Sequence, residues 1–254
     1  MSKFFGLDKP LLTLMINRAV TPDIALGEIK KGIANGAEAF GFCMEKMERK
    51  YRTREVLKEI FSASEGRPFY VTDYRWADSN KELSDDCLAD ELLLALDCGA
   101  TLIDIFGDMY GHDEIQVDRD EKVGEKQKKL ADTIHSMGGE VLISAHTFKY
   151  MTPEEVLDIA KLQISRGADI AKIVTAANTR EELKNNFDTI FTLREKLEKD
   201  TLFLCGGSEC YKHRRMGPIL AGSSMFLCVN EHEDGNNQPT IAEAKKLIEI
   251  CVNR

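Results

Sequence analysis

The chain has 254 residues, of which 43% are hydrophobic and 30% charged, enough to bury one sizeable core and about the length of a single α/β barrel. A formal net charge of −9 argues against non-specific binding to nucleic acid or to an anionic membrane, and no apolar run approaches the ~18 residues that a membrane span needs. Seven cysteines, an odd number with no Cys-x-x-Cys pair, fit reduced thiols in a cytoplasmic protein rather than a disulfide framework.

Strand-like and helix-like patterns alternate from end to end. Residues 11–16 read as a strand and 22–34 as a helix, with Thr21 at the N-cap and Pro22 in the first turn. A strand at 38–43 and a helix at 54–62 follow, then a β-rich Phe-Tyr-Val-Thr-Asp-Tyr run at 69–74 and a helix at 85–97. The fourth strand is expected at 102–106 and a long charged helix at 117–136. Residues 140–145 form the fifth strand, and Thr152-Pro153-Glu154-Glu155 has the spacing of a capping box that opens the next helix. The sixth strand lies at 169–175, before a helix at 179–199. A seventh strand at 202–205, a short helix at 213–220, an eighth strand at 224–229 and a helix at 241–252 complete the pattern.

Eight strand–helix alternations with mostly short connections make βαβ units. Three helices end in Asn35-Gly36-Ala37, Cys98-Gly99-Ala100 and Arg166-Gly167-Ala168, where glycine supplies a left-handed residue and a strand begins at once. No Gly-rich dinucleotide fingerprint is present. The expected fold is therefore α/β, a single-domain (β/α)8 TIM barrel over residues 1–254, with its chemistry at the C-terminal strand ends.

The sixth strand carries an anomaly. Its sequence, Asp-Ile-Ala-Lys-Ile-Val-Thr, is that of a strand buried on both faces, yet Lys172 stands in its middle. A buried ammonium must be paired, must snorkel or must lose its proton. A neutral amine attacks carbonyls to form a Schiff base. His146 follows the neighbouring fifth strand directly. Adjacent strands run ~4.8 Å apart, so both side chains reach one substrate if both face inward. The imine would then be the electron sink and the histidine would move the adjacent proton. The bland alternative is a salt-bridged strand lysine and a structural histidine.

The segment SAHTFKYMTPEEVLDIAKLQISRGADIAKIV, residues 144–174, resembles type I 3-dehydroquinate dehydratase, which shows Ser-x-His-x-Phe, Thr-Pro and Gly-Ala-Asp-Ile-x-Lys-Ile in this region. The resemblance implies a Schiff-base lyase of the shikimate pathway, serving aromatic amino acid biosynthesis, that needs no metal or organic cofactor. It implies Lys172 as the imine-forming lysine, His146 as general acid and base, a small keto acid as substrate, and a homodimer. Arg215 ahead of Gly222-Ser223, and Gln238 ahead of the last helix, look like substrate-binding positions of the family. Arg75 resembles an arginine at the end of the family's third strand, displaced by one residue.

The chain also departs from the family. Gly41-Phe42-Cys43 stands where the family's second strand carries Glu-x-Arg, and Asp104-Ile105-Phe106 where the fourth ends Asp-x-Glu, the glutamate being oriented towards the histidine. A family serine falls at Asp234. These changes leave open a lyase or aldolase acting on a different keto acid or keto sugar. The residues alone also admit a metal-dependent sugar isomerase or epimerase, with Asp73, Asp104, Glu209 and His146 on one rim. A barrel that binds without catalysing is a further alternative. Gly206-Gly207-Ser208 is either a phosphate cradle or a plain turn. In the run Lys212-His213-Arg214-Arg215, one arginine reaching the pocket would suit a carboxylate.

Overall fold

The computed structural model describes Phe4, residues 9–232 and residues 237–251, so Asp234 and the last expected helical residue, Val252, lie outside the described residues. Eight strands run through it: β1 (Leu11–Ile16), β2 (Ala39–Cys43), β3 (Phe69–Thr72), β4 (Leu102–Phe106), β5 (Glu140–His146), β6 (Ile170–Ala176), β7 (Asp200–Gly206) and β8 (Met225–Cys228). The helices α1 (Pro22–Asn35), α2 (Arg54–Ser62), α3 (Asp85–Cys98), α4 (Glu121–Ser136), α5 (Pro153–Ser165), α6 (Arg180–Lys196), α7 (Cys210–Ala221) and α8 (Ile241–Cys251) alternate with them. Every pairing is parallel, in the order β7-β6-β5-β4-β3-β2-β1-β8. This is the expected single-domain TIM barrel, nearly closed.

The β7–β8 ladder is the one not formed among the described residues. Carbonyls along a strand point alternately to its two neighbours. Gly206 O accepts the Ala177 N–H on the β6 side, so Cys205 O and Thr201 O face β8. Arg214 Nε and Ser223 Oγ donate to them, each at 2.7 Å. Side chains thus satisfy carbonyls that a ladder would have used.

Local signals placed most boundaries. Gly36, Gly99 and Gly167 take φ of 92°, 122° and 101°, so each helix reverses into a strand where glycine permits it. Thr152 and Glu155 make the expected capping box, and Thr179 with Glu182 makes a second. Thr21 sits at the N-cap of α1 without a side-chain cap bond. Two helix starts differ. α4 begins at Glu121, because Asp120 accepts the Lys122 and Val123 N–H groups at 2.8 and 3.3 Å. Val117, buried in the preceding loop, imitates helical periodicity without belonging to the helix. α7 begins at Cys210 rather than 213, with no side-chain N-cap to mark it. Among the described residues, no helix is long and apolar enough to cross a membrane.

Candidate active site

Register puts Lys172 opposite Ser144 on β5 and Leu202 on β7, in the middle of the barrel wall. Its side chain points into the interior and is paired, the first of the three options open to a buried lysine. Nζ donates to Tyr70 Oη at 2.8 Å, to Tyr74 Oη at 2.7 Å and to Asp104 Oδ2 at 3.3 Å. Both phenols in turn donate to Asp104 Oδ2, Tyr74 at 2.6 Å, and Ser144 Oγ donates to Oδ1 at 2.6 Å. Burial first, and the Asp104 charge second, hold both tyrosines well above the usual phenol range. They therefore stay protonated and serve as donors to the carboxylate. Three acceptors for the lysine and four bonds onto one carboxylate leave this buried network satisfied, as its low-dielectric setting requires.

His146 ends β5 two residues above Ser144, on the same inward face. Gln116 Oε1 accepts from the His146 backbone N–H at 3.0 Å and faces ring Nδ1 at 2.9 Å. A backbone N–H can only donate, so this Gln116 atom must be the oxygen. It therefore accepts a hydrogen bond from Nδ1–H, which leaves the ring's lone pair on Nε2. Burial, then the charges of Lys172 and Arg214, hold His146 well below its usual 6.5, in the neutral form a base requires. Gln116 takes the orienting role that Phe106 does not fill. Asp104 instead serves Lys172, and Asp108 accepts the Asp113 N–H at 3.1 Å. Tyr74 joins the two halves of the site: its hydroxyl meets Lys172 and its ring stands edge-on to His146, 5.2 Å between centroids.

The loop after β3 is pinned from outside the barrel. Arg52, 6% exposed, donates to Met47 O, Ser79 Oγ, Asn80 Oδ1 and Glu91 Oε2 at 2.7 to 3.0 Å. Asn80 donates on to Asp73 Oδ1 at 2.7 Å and to Tyr74 O at 3.0 Å. Asp73 is thus an anchor for Tyr74, and β3 stops at Thr72 because the next residue turns into this cluster. Trp76, on the same loop, stacks on Tyr74 at 4.1 Å.

The expected substrate-binding residues are not all brought to this centre. Arg75 is held on the rim by both oxygens of Asp85, at 2.9 and 2.7 Å, and by Asp108 O at 3.0 Å. Arg215 turns towards α8, pairing with Glu243 at 3.1 Å and lying over the Tyr211 ring. Its neighbour Arg214 is the arginine of that run whose charge reaches His146. Ser223 sits before β8, at the barrel end opposite the mouth, and closes the seam described above. Gln238 is half-buried two residues before the Val229–Thr240 bridge, beyond the C-terminal end of β8.

The carboxylates expected on a metal rim and the N–H groups of the Gly-Gly turn are engaged within the chain. Asp73 is enclosed with Arg52 and Asn80, and Asp104 is taken up by Lys172, Ser144 and the tyrosines. Among the described residues, no group of three or more His, Cys, Asp or Glu side chains is placed to hold a metal. After Gly206 the backbone N–H groups of Ser208 and Glu209 bond Asn178 Oδ1 and Ala177 O, as in a plain turn.

Nothing in the local sequence pattern marks Tyr70, Tyr74 or Gln116 as part of this centre. The two tyrosines looked like ordinary β-formers, and Gln116 lay beside an expected helix start. A parity count along β3 would have placed Tyr70 on the inward face.

An eight-stranded parallel barrel with a lysine, a histidine and their hydrogen-bonding partners gathered inside its C-terminal half is the framework of a barrel enzyme. The chain belongs to the type I 3-dehydroquinase family, whose members are hydro-lyases; the family model matches residues 28–252. Solved structures agree in fold. The type I 3-dehydroquinate dehydratase of Clostridium difficile superposes with a TM-score of 0.81 at 17% identity, covering 96% of this chain and 93% of its own. The 3-dehydroquinate dehydratase of Geobacillus kaustophilus gives 0.80 at 14%, covering 96% and 92%. That of Enterococcus faecalis gives 0.76 at 13%, covering 96% and 95%. No curated protein sequence matches the chain.

Proposed function

We propose that this chain dehydrates 3-dehydroquinate, or a closely related keto acid, through an imine on Lys172, with His146 moving the proton at the adjacent carbon. The observation that carries this is a buried lysine amine and a neutral histidine base converging on one interior space, joined by Tyr74. Lys172 Nζ adds to the substrate ketone and water leaves. The resulting iminium draws electrons from the neighbouring C–H bond, and His146 Nε2 takes that proton. The enamine then expels the β-hydroxyl, which receives the proton back from His146, and hydrolysis frees the enone product and the lysine.

Arg214 donates Nε to Cys205 O but has no carboxylate partner among the described residues, so it suits the substrate carboxylate better than Arg215 or Arg75, which are paired with Glu243 and Asp85. In this reading Gln238, beyond the C-terminal end of β8, closes over the ring. A cytoplasmic homodimer goes with this reading. Gly41, Cys43 and Phe106 supply no charged group; burial, then Glu45, pushes the Cys43 thiol up to about 12. That observation favours, as a second reading, a keto acid with fewer hydroxyls to be recognised.

Borohydride reduction in the presence of 3-dehydroquinate, followed by intact mass and peptide mapping, tests both. A reduced adduct on Lys172, absent in Lys172→Ala, is expected. An adduct with another keto acid but not with dehydroquinate would leave the imine and change the substrate. No adduct with any ketone would refute the imine.

A further inference from the structure

Two groups of hydrogen bonds divide the site. Among the described residues, His146 hydrogen-bonds Gln116 while Lys172 hydrogen-bonds Tyr70, Tyr74 and Asp104, so the two share no hydrogen-bonding partner. The reaction also has two proton problems. One is at carbon. The other is at the lysine nitrogen, where ammonium and ketone must become iminium and water: of three protons on Nζ, one stays on the iminium and two end on the departing oxygen.

We propose that Tyr74 is the catalytic residue for this nitrogen chemistry, carrying protons from Lys172 Nζ to the substrate carbonyl oxygen with Asp104 as their temporary store. The inference rests on the Lys172 imine reading. Tyr74 Oη already accepts from Nζ at 2.7 Å and donates to Asp104 Oδ2 at 2.6 Å, so a proton leaving Nζ passes to Tyr74 as Tyr74 passes its own to Asp104. The freed nitrogen lone pair forms the N–C bond, and the carbonyl π electrons move to oxygen. The proton then returns from Asp104 through Tyr74 to that oxygen, giving the carbinolamine. A second passage along the same route protonates the hydroxyl. The C–O bond breaks, water leaves, and the nitrogen lone pair closes the C=N bond. Two protons have left Nζ, two are on water, and Tyr74 and Asp104 are restored.

Tyr70 holds the same two hydrogen bonds but not the same position. It is fully buried in the lower barrel among Leu102 and Leu142, whereas Tyr74 is 6% exposed and borders His146 and Trp76 at the mouth. Tyr70 is a positioning residue for Asp104 and Nζ. Ser144, on the other carboxylate oxygen, is another.

The test is the rate of imine formation, read by rapid-quench borohydride trapping with 3-dehydroquinate, together with the kinetic isotope effect from deuterium at the abstracted carbon position. Wild-type protein is compared with Tyr74→Phe, Tyr70→Phe and His146→Ala, each checked by thermal melting. Tyr74→Phe should slow trapping by about 10²-fold and suppress the isotope effect, because imine formation becomes limiting. His146→Ala should trap at the wild-type rate and accumulate the adduct. Tyr70→Phe should slow trapping less than about 5-fold, well short of the effect of an acid–base residue. Wild-type trapping in Tyr74→Phe, or equal slowing in both tyrosine variants, would overturn the assignment of Tyr74 while leaving the imine intact. No adduct in the wild type would overturn the imine and this inference together.

Discussion

Replacing Gln116 with glutamate puts a negative charge where His146 Nδ1 now meets a neutral amide oxygen at 2.9 Å. With charge centres ~4 Å apart and an effective dielectric of about 20, a carboxylate would favour the imidazolium by about 4 kcal/mol. At 1.36 kcal/mol per pKa unit that is an upper bound of about 3 units. Burying the new carboxylate at a position only 7% exposed returns part of this, so a net rise of about 1 to 2 units is expected. In the wild type, His146 is held well below 6.5, so the base stays neutral and kcat/KM should fall only in distinctly acidic solution. In Gln116→Glu the acid limb should move towards neutrality by that amount. The assay is kcat/KM from pH 4 to 9, followed by the absorbance of the conjugated product. Gln116→Leu, which removes the acceptor without adding charge, should lower kcat by about 10²-fold through misplacement of the ring, without an upward shift of the limb. An unmoved limb in Gln116→Glu together with unchanged kcat in Gln116→Leu would show that Gln116 does not control His146.

A Cβ on Gly107 would overlap the Gln116 carbonyl oxygen and come within 3.0 Å of Ser144 O. Gly107→Ala should therefore displace the loop that carries Gln116, at a cost of about 1 to 3 kcal/mol, and lower kcat by about 10-fold or more. A destabilised variant with wild-type kcat in steady-state assays would contradict this. His213, buried in α7 between Phe187 and Phe203, is pushed by burial down to about 4. Because its folded pKa lies below the unfolded 6.5, its contribution is intact above that value and is lost as pH falls from 6.5 towards 4, up to about 3 kcal/mol. Urea melts at pH 7 and pH 5 should show about 2 kcal/mol less acid loss in His213→Leu than in the wild type; equal losses would show that His213 is not buried neutral.

Where the sequence succeeded, the controlling physics was local. β1, β4 and α2 begin and end at the expected residues because alternation, β-branching and a threonine N-cap lie within each element. Glycine at 36, 99 and 167 marked helix ends because the left-handed geometry is a property of that residue. α4 went wrong at Val117 because loop burial and helix burial look alike in a hydrophobic pattern.

The barrel, the family and the convergence of Lys172 with His146 are legible along the chain, since both residues sit in strands whose pattern and motif are contiguous. Their surroundings come from contacts distant in the chain. Tyr70 and Asp104 lie 102 and 68 residues from Lys172, and Gln116 lies 30 from His146, so barrel closure and loop placement bring them together. The different partners of Arg214 and Arg215 arise likewise. Successive helix residues point ~100° apart, and the phase of α7 against the barrel turns Arg214 onto Cys205 O of β7 and Arg215 onto Glu243.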